Sequence, residues 1–407
     1  MYRTFAWRYF NAKKSANAIN IIAWVTVTVI AFATCCQVLV LSVFNGFEGL
    51  VKSLYSSFYP DYRLSPKEGK TFKFSAQQAD QLRKLHGIQK ASFIVEDKAL
   101  MRNDNEQTLV HILGVDDQYK DISGVPGKLV SGNFDLGNVD EPAMVAGIGL
   151  KSAVNFDTDS IFANNHVTLI LPRRSTANSM NILDDLSEGM VRTAGTFAIQ
   201  QDFDNQFAIT NIDFLQKQIG LSPDEFTSVN IKAVPGISKK ELFASLKKNY
   251  GNNFKVEDRY MQNSNLYSAM QLEKWFIYAV LTLILLIAAF NMVSALSMLV
   301  LEKSKDISIL KSLGATNGSV RKIFISEGLL LGGIGAAAGI AIGIGICFLQ
   351  MKFHLVKIQG GSFLIDYYPV ELRLPDLLLV ALSAIVIALL ASWFPAQKAA
   401  NRELSLR

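Results

Sequence analysis

Four long stretches without a single charged residue constrain this 407-residue chain more than any other feature. They run from Ser15 to Phe47, from Trp275 to Leu301, from Gly328 to Met351 and from Leu377 to Gln397. Each reaches or exceeds the ~20 residues that an α-helix needs to cross a bilayer. Half of all residues are hydrophobic and only 18% are charged, which is apolar for a soluble protein of this size. The sequence therefore predicts four transmembrane helices, at 19–47, 271–301, 323–351 and 376–397.

The first stretch could instead be a secretory signal peptide, because basic residues precede it. Its apolar part is, however, longer than the ~7–15 residues of a signal peptide, and no clear small-x-small cleavage site follows. We therefore predict a retained anchor, preceded by an interfacial helix over residues 1–18. Cys35, Cys36 and Cys347 all fall inside the apolar stretches, where they are expected to be packing residues. Disulfides therefore cannot stabilise the long segment between the first two helices.

Basic residues beside the four helices predict their orientation. The N-terminal tail, the segment 302–322 and the tail 398–407 each carry more Lys and Arg than Asp and Glu. By the positive-inside rule, these three segments face the cytoplasm. The short loop 352–375 also carries basic residues, so the asymmetry is incomplete. The net charge of +5 is then mainly a topology signal and does not indicate a nucleic-acid partner.

Residues 48–270 then lie outside and are numerous enough to form an α/β domain with its own core. Each end of this segment predicts a βαβ-like unit, with Ser75 and Ser238 as the helix N-caps. The predicted strands are 61–65, 88–97, 227–233 and 254–258, and the predicted helices are 75–85 and 237–249. Between the two units, residues 98–225 contain short alternating runs broken by Gly, Asn and Asp, which predict an inserted β-rich subdomain.

No motif in the sequence predicts catalytic chemistry. The segment "EGKTF" (68–72) resembles the end of a phosphate-binding P-loop, but Leu64 stands where the first glycine is required. The segment "GIGL" (147–150) is a lone GxG and indicates a strand-to-helix turn. The four histidines are scattered and show no metal-ligand spacing. We therefore predict a non-enzymatic chain that binds no cofactor, metal or nucleic acid directly.

Glycines at four-residue spacing mark one face of the third predicted helix. Gly335, Gly339 and Gly343 continue a series that begins at Gly328 and Gly332. Small residues on one face let two helix backbones approach closely, so this helix is expected to pack tightly against another. The partner helix could belong to the same chain or to a second subunit.

Apolar residues continue at helical spacing where the first helix leaves the membrane, and a similar set leads into the second helix. Two such helices facing each other predict an apolar groove for an acyl chain or an apolar peptide. The same residues could instead simply hold the two helices together. The groove candidates are Val40, Phe44, Phe47, Val51, Leu54, Leu266 and Met270.

Two motifs are informative together: "VLSVFNGFEGLV" (40–51), and "EKSKDISILKSLGAT" (302–316) followed by "VRKIFISEGLLLG" (320–332). They resemble the permease subunits of the MacB/FtsX superfamily of ABC transporters. The resemblance covers the whole chain and is strongest to the lipoprotein-releasing, or Lol-type, permeases. It implies a porter-like α/β subdomain with an inserted sabre-like subdomain in the periplasm. It also implies a bacterial inner-membrane protein with both termini in the cytoplasm.

The resemblance further implies that segment 302–322 forms a coupling helix resting on a separate cytoplasmic ATPase. The coupling candidates are Lys305, Ile307, Leu310, Lys311, Leu313 and Gly314. Within this set, an apolar ridge of Ile307, Leu310 and Leu313 would touch the ATPase, and Gly314 would end the helix. ATP and Mg²⁺ would bind the partner ATPase.

A loop at 171–199 resembles in position the loop with which some Lol-type permeases hold a periplasmic chaperone. Its contact candidates are Arg173, Arg174 and Met180. A long surface hairpin without a partner is the alternative interpretation of this loop.

The resemblance implies a permease that uses ATP hydrolysis by its partner to lift lipoproteins from the membrane by mechanotransmission and to pass them to the chaperone. The other partner is a second copy of the permease or a related permease. A MacB-type peptide or drug exporter is one alternative, disfavoured because no ATPase domain is fused to this chain. An FtsX-like signalling module that controls a cell-wall hydrolase is another, disfavoured by the large external segment.

Overall fold

The computed structural model describes residues 17–158, 165–174, 186–358 and 367–401. Most of the predicted interfacial helix (1–18), most of the C-terminal tail and Met180 lie outside these ranges. The chain divides into two compact units. We call them the helical unit, which contains the described residues up to Leu50 and from Ser268 onward, and the sheet unit, Val51–Tyr267.

The described α-helices are numbered here in chain order. They are α1 (Asn17–Phe58), α2 (Ala76–Arg83), α3 (Tyr119–Ile122), α4 (Ile148–Val154), α5 (Gln201–Asp204), α6 (Ile212–Ile219), α7 (Lys239–Tyr250), α8 (Arg259–Gln262), α9 (Ser264–Glu302), α10 (Ser304–Ser312), α11 (Asn317–Phe353) and α12 (Leu374–Ala400). A short 3₁₀ helix covers Val125–Lys128.

The described β-strands form one large and one small sheet. They are β1 (Tyr62–Pro66), β2 (Phe72–Lys73), β3 (Ile88–Asn103), β4 (Glu106–Val115), β5 (Leu129–Gly132), β6 (Ala143–Gly147), β7 (His166–Pro172), β8 (Leu186–Phe197), β9 (Phe207–Asn211), β10 (Glu225–Phe226), β11 (Ser228–Ala233) and β12 (Phe254–Asp258).

Within the described ranges, four helices are long and apolar enough to cross a membrane, namely α1, α9, α11 and α12. They contain the last three charge-free stretches and the described part of the first, so the predicted set of membrane helices is confirmed. Helix α1 continues to Phe58, beyond the predicted end at residue 47, and α9 begins at Ser264, before the predicted start at residue 271. These two helices therefore each run without a break from one compact unit into the other.

The ends of the sheet unit form the split βαβ arrangement that two βαβ-like units predict. Strands β12, β1, β11 and β3 are successive neighbours, and each neighbouring pair is antiparallel. Helix α2 therefore connects two parallel strands, β1 and β3, on either side of β11. Ser75 caps α2 through a capping box with Gln78, whereas Ser238 precedes α7 without a side-chain hydrogen bond.

The predicted inserted subdomain continues the same sheet. Strand β3 pairs with β11 through its first half and with β4 along its second half, so it crosses the predicted boundary at residue 98. Among the described residues, the large sheet has ten strands. Nine of them follow the order β12-β1-β11-β3-β4-β9-β6-β8-β5, and the tenth, β7, pairs with both β3 and β8. One hydrophobic core includes Leu64 and Leu246 from the chain ends and Leu169 and Val191 from the insertion. The insertion thus shares both sheet and core with the α/β part.

Candidate functional site

Helix α10 connects the two membrane helices α9 and α11 and carries most of the predicted coupling residues. Its end at Gly314 has a left-handed backbone conformation, with φ of +91°. The N–H of Ala315 donates to the Leu310 carbonyl, and the N–H of Gly314 donates to the Lys311 carbonyl. This pair of bonds is the Schellman motif, which favours glycine at that position. The prediction that Gly314 ends the helix is confirmed.

The two faces of α10 differ sharply in burial. Ile307 is only 3% exposed and joins a core with Val320 and Phe324 of α11. Lys311, one turn further along the same face, donates from Nζ to the Ala400 carbonyl at 2.7 Å. This inward face holds α10 against the ends of α11 and α12.

The outward face of α10 carries Lys305, Ile309 and Leu313, which follow one another at a spacing of four residues. Ile309 is 59% exposed and Leu313 is 80% exposed. Exposed large aliphatic residues among charged neighbours are typical of a docking surface. We call these three residues the outward coupling face.

The predicted apolar ridge of Ile307, Leu310 and Leu313 requires a correction. Residues spaced by three drift around an α-helix, which has 3.6 residues per turn. Ile307 and the half-buried Leu310 therefore lie on the inward face, and only Leu313 lies on the outward one. Ile309, which is not among the predicted coupling residues, lies on the outward face in place of Ile307. The signal that could have identified it is its spacing of four residues from Lys305 and Leu313.

The glycine face of α11 packs against α1. An added Cβ at Gly335 would lie 2.9 Å from the Val27 carbonyl oxygen, and one at Gly339 would overlap the Ala31 carbonyl and the Thr34 hydroxyl. Gly343 lies against Val38 in the same way. The sequence left open whether this face packs within the chain or against a second subunit, and in the structure it packs closely within the chain.

The motif "VLSVFNGFEGLV" packs α1 against the segment 367–376, which leads into α12. The N–H of Glu371 donates to the Ser42 carbonyl at 2.9 Å. Gly46 has no side chain, so the Pro369 carbonyl can approach the α1 backbone there. The ring of Phe47 meets the ring of Tyr368 edge to face, with centroids 5.8 Å apart.

Two ion pairs strengthen this contact. Lys274 of α9 donates to Asp376 at 2.9 Å and to the side-chain oxygen of Asn45 at 3.0 Å, and Asn45 in turn donates to Asp376 at 2.6 Å. Arg373 donates to Glu48 at 2.6 Å. We call these five residues the polar network; it connects α1, α9 and the start of α12.

The polar network could not be predicted from the sequence, because the parts that it joins are separated by 102 to 331 residues along the chain. Arg373 also donates to Glu371 through two nitrogens at 3.0 Å. The hydrogen bonds to Glu371, and then those to Glu48, hold the pKa of the Arg373 guanidinium above its ordinary value. Both ion pairs of the network are half-buried, so removing one partner leaves the other charge partly desolvated without compensation.

The last residues of α1 are embedded in an aromatic cluster of the sheet unit. The rings of Phe58 and Phe203 stack with centroids 4.5 Å apart, and Phe207 lies 4.8 Å from Phe58. Tyr55 lies 4.9 Å from Phe203, and burial raises the pKa of its hydroxyl to about 12. The N–H of Gly124 donates to the Ser57 carbonyl at 2.8 Å. Helix α1 is therefore firmly packed into the sheet unit.

The groove candidates fall in both units. In the helical unit, Val40 is exposed, whereas Phe44, Phe47 and Met270 are half-buried. In the sheet unit, Leu54 is buried and Val51 and Leu266 are half-buried. Cargo binding by these residues stays a prediction.

The chaperone-loop candidates are only partly described. Arg174 pairs with Asp97 at 3.1 Å, and its N–H donates to the Ile219 carbonyl, so this side chain is occupied within the sheet unit. Arg173 is exposed at the end of β7. In the part of the chain that the structure describes, no group of three or more His, Cys, Asp or Glu residues could hold a metal ion.

Comparisons with known proteins agree with this architecture. The family model for the C-terminal region of FtsX-like permeases matches residues 278–404. The lipoprotein-releasing system transmembrane protein LolC of Neisseria meningitidis is 26% identical over 99% of this chain and 98% of that protein. The corresponding protein LolE of Haemophilus influenzae is 25% identical over 97% of this chain and 96% of that protein.

Among solved structures, the periplasmic region of MacB from Actinobacillus actinomycetemcomitans aligns with 54% of this chain and 98% of that chain. The TM-score is 0.35, and the sequence identity is 16%. The resemblance predicted from the two motifs is confirmed by the matches to LolC, LolE and the FtsX-like model: this chain is an ABC transporter permease, related along nearly its whole length to the lipoprotein-releasing permeases.

Proposed function

We propose that this chain uses ATP hydrolysis by a separate ABC ATPase to extract lipoproteins from the inner membrane and to hand them to a periplasmic chaperone. The match to LolC and LolE over nearly the full length of each protein supports the choice of cargo. The observation that carries the mechanism is that α1 and α9 each run unbroken from the helical unit into the sheet unit.

The ATPase would dock on the outward coupling face of α10. Ile309 and Leu313 offer apolar surface, and Lys305 offers a charge for an acidic partner. The inward face is held by Ile307 and Lys311, so a push on α10 would be passed to α11 and α12. ATP and Mg²⁺ bind the ATPase in this mechanism, and the permease itself performs no catalysis.

Helix α1 would then carry the movement outward. It is packed against the glycine face of α11 at one end and into the aromatic cluster around Phe203 at the other. Because its backbone hydrogen bonds are continuous, displacement of the membrane portion moves the portion beyond it. Lipoprotein acyl chains would enter beside α1 and α9, near Phe47 and Met270, and the loop after Arg173 would contact the chaperone. A second copy or a related permease would complete the transporter.

Depletion of this protein tests the proposed function. Membranes from depleted cells are separated by density, and lipoproteins destined for the outer membrane are quantified in each fraction. We expect these lipoproteins to accumulate in the inner membrane and to return to the outer membrane when the wild-type chain is restored. Lipoprotein release would be refuted if the distribution of lipoproteins between the two membranes stayed unchanged and the cells instead lost peptide or drug efflux or cell-wall hydrolase activity.

The coupling step has its own test. Leu313→Glu puts a charge on the outward coupling face without disturbing the core, because Leu313 is 80% exposed. Its control is Leu109→Glu, since Leu109 is 72% exposed but lies on β4 of the sheet unit. We expect Leu313→Glu to reduce the ATPase recovered with the purified permease at least tenfold and Leu109→Glu to leave it unchanged. Equal recovery with both variants would exclude this docking face.

A further inference from the structure

A cavity of about 510 Å³ opens in the sheet unit beside the last part of α1 and the short helix α8. Its size falls within the ~300–1,000 Å³ of typical small-ligand sites. Basic side chains and aromatic rings line it together, among them Lys52, Lys239, Lys240, Arg259, Tyr260 and Tyr267. No step of the proposed lipoprotein release uses this cavity.

The charges around the cavity do not balance. Two acids, Asp61 and Asp258, also line it, but both are engaged. Asp61 accepts from Arg259 at 3.0 Å and from the N–H of Ala233 at 3.0 Å, and Asp258 accepts from the N–H of Met261 at 2.7 Å. The lining therefore keeps an excess of positive charge.

Lys239 and Lys240 supply much of this excess. Both side chains are exposed, and neither forms an ion pair within the described ranges. They begin α7, whose N-cap Ser238 makes no side-chain hydrogen bond, so backbone N–H groups of the first turn remain available. A helix N-terminus with adjacent lysines favours a phosphate group.

Apolar and aromatic groups also line the cavity. The ammonium of Lys52 lies 5.7 Å from the ring centroid of Tyr260 and 5.9 Å from that of Tyr267. Tyr260 is 56% exposed, and Val234 is also exposed at the rim. Tyrosines beside lysines are typical of the membrane–water interface, where rings contact the glycerol region and charges meet phosphates.

Two of the lining residues, Lys52 and Tyr267, lie on helices that contain charge-free stretches. Lys52 lies on α1 between one and two turns beyond Phe47, the last residue of the first charge-free stretch. Tyr267 precedes Trp275, the first residue of the second stretch, by little more than two turns of α9. At 1.5 Å per residue, these separations along the two helices are about 8 and 12 Å, against roughly 5–8 Å for the headgroup region of one leaflet.

We propose that this cavity binds the phosphate headgroup of an anionic phospholipid from the surrounding leaflet. Lys239, Lys240 and the N-terminus of α7 contact the phosphate, and Tyr260 and Val234 pack against the glycerol and the first acyl carbons. A bound lipid would tether the sheet unit to the membrane. This inference does not depend on the nature of the transported cargo.

Lipid titration of the purified full-length chain tests the proposal. Binding of phosphatidylglycerol, of phosphatidylcholine and of inorganic phosphate in a neutral detergent is measured by native mass spectrometry. The test variant is Lys239→Gln/Lys240→Gln. The control is Lys247→Gln/Lys248→Gln, which removes the same charge from exposed positions at the opposite end of α7. Both double variants change exposed side chains only and are expected to fold.

We expect the wild-type chain to prefer phosphatidylglycerol. Because a lysine near an anionic surface contributes roughly fivefold in affinity, the test variant, which loses two lysines, should bind phosphatidylglycerol about 25-fold more weakly, and the control should bind like wild type. Equal losses in both variants would indicate diffuse charge attraction and refute the site. Equal affinity of the wild type for both lipids, or for inorganic phosphate and phosphatidylglycerol, would refute a lipid headgroup site.

Discussion

Replacing Gly339 by alanine tests the close packing of α11 against α1. The new methyl group would point at the Ala31 carbonyl and the Thr34 hydroxyl of α1. Neither can move aside easily, since one is backbone and the other already donates to the Ile30 carbonyl at 2.8 Å. The two helices would have to separate at the point where they are closest.

The magnitude follows from two opposing terms. Alanine favours a helix by about 1 kcal/mol over glycine. Overpacking of a tight interface costs about 1–3 kcal/mol, and contact with a rigid backbone places this site near the upper limit. The net loss for Gly339→Ala should therefore be about 1–2 kcal/mol.

Gly345 provides a matched control on the same helix. A Cβ added there meets nothing within 4 Å, so only the gain in helix propensity remains. Gly345→Ala should stabilise the protein by about 0.5–1 kcal/mol. Thermal unfolding of both variants in one detergent measures the difference, which we expect to have opposite signs relative to wild type. A melting temperature for Gly339→Ala at or above that of Gly345→Ala would refute the packing argument.

Three further predictions concern other parts of the molecule. Asp376→Ala should lower the free energy of unfolding by about 2 kcal/mol, because Lys274 keeps its charge in a half-buried site. The double variant Lys274→Ala/Asp376→Ala should recover part of that loss when thermal unfolding is measured in the same detergent. Phe203→Ala should lower the free energy of unfolding by about 3 kcal/mol and block lipoprotein release, whereas the yield of ATPase recovered with the permease stays normal. Loss of the ATPase would contradict the role of Phe203 in packing α1 into the sheet unit. Burial raises the pKa of Asp116. The carboxyl group therefore contributes to the stability of the folded protein below its ordinary pKa of ~3.9, and this contribution is lost as the pH rises through the raised pKa. Melting curves between pH 4 and 7 should show a flatter pH dependence for Asp116→Asn, and parallel curves for both proteins would contradict it.

Local patterns in the sequence predict most elements of this fold. The charge-free stretches identify the four membrane helices, and Ser75 and Gly314 mark helix ends because capping depends on neighbouring residues alone. Alternation of apolar residues identifies β1, β11 and β12 within one or two residues. These features are local, so one sequence suffices to find them.

Contacts between distant segments could not be predicted in this way. Nothing near Asn45 or Lys274 indicates that both bind Asp376, which lies over a hundred residues beyond Lys274 in the chain. The full extent of β3 could not be predicted for the same reason. This strand continues through a predicted domain boundary, at which its pairing partner changes from β11 to β4. Ile307 lies on the inward face of α10, which the sequence could not show, because its apolar partners belong to α9, α11 and α12.

Reconstituted release of an acylated lipoprotein tests the central claim most directly. The purified permease, together with the ATPase that accompanies it, is placed in liposomes with a labelled lipoprotein, and transfer to a soluble chaperone is followed after ATP is added. The mechanism predicts ATP-dependent transfer with the wild-type chain and with Leu109→Glu, and little or none with Leu313→Glu. Transfer that proceeds equally without ATP, or equally with Leu313→Glu, would contradict it.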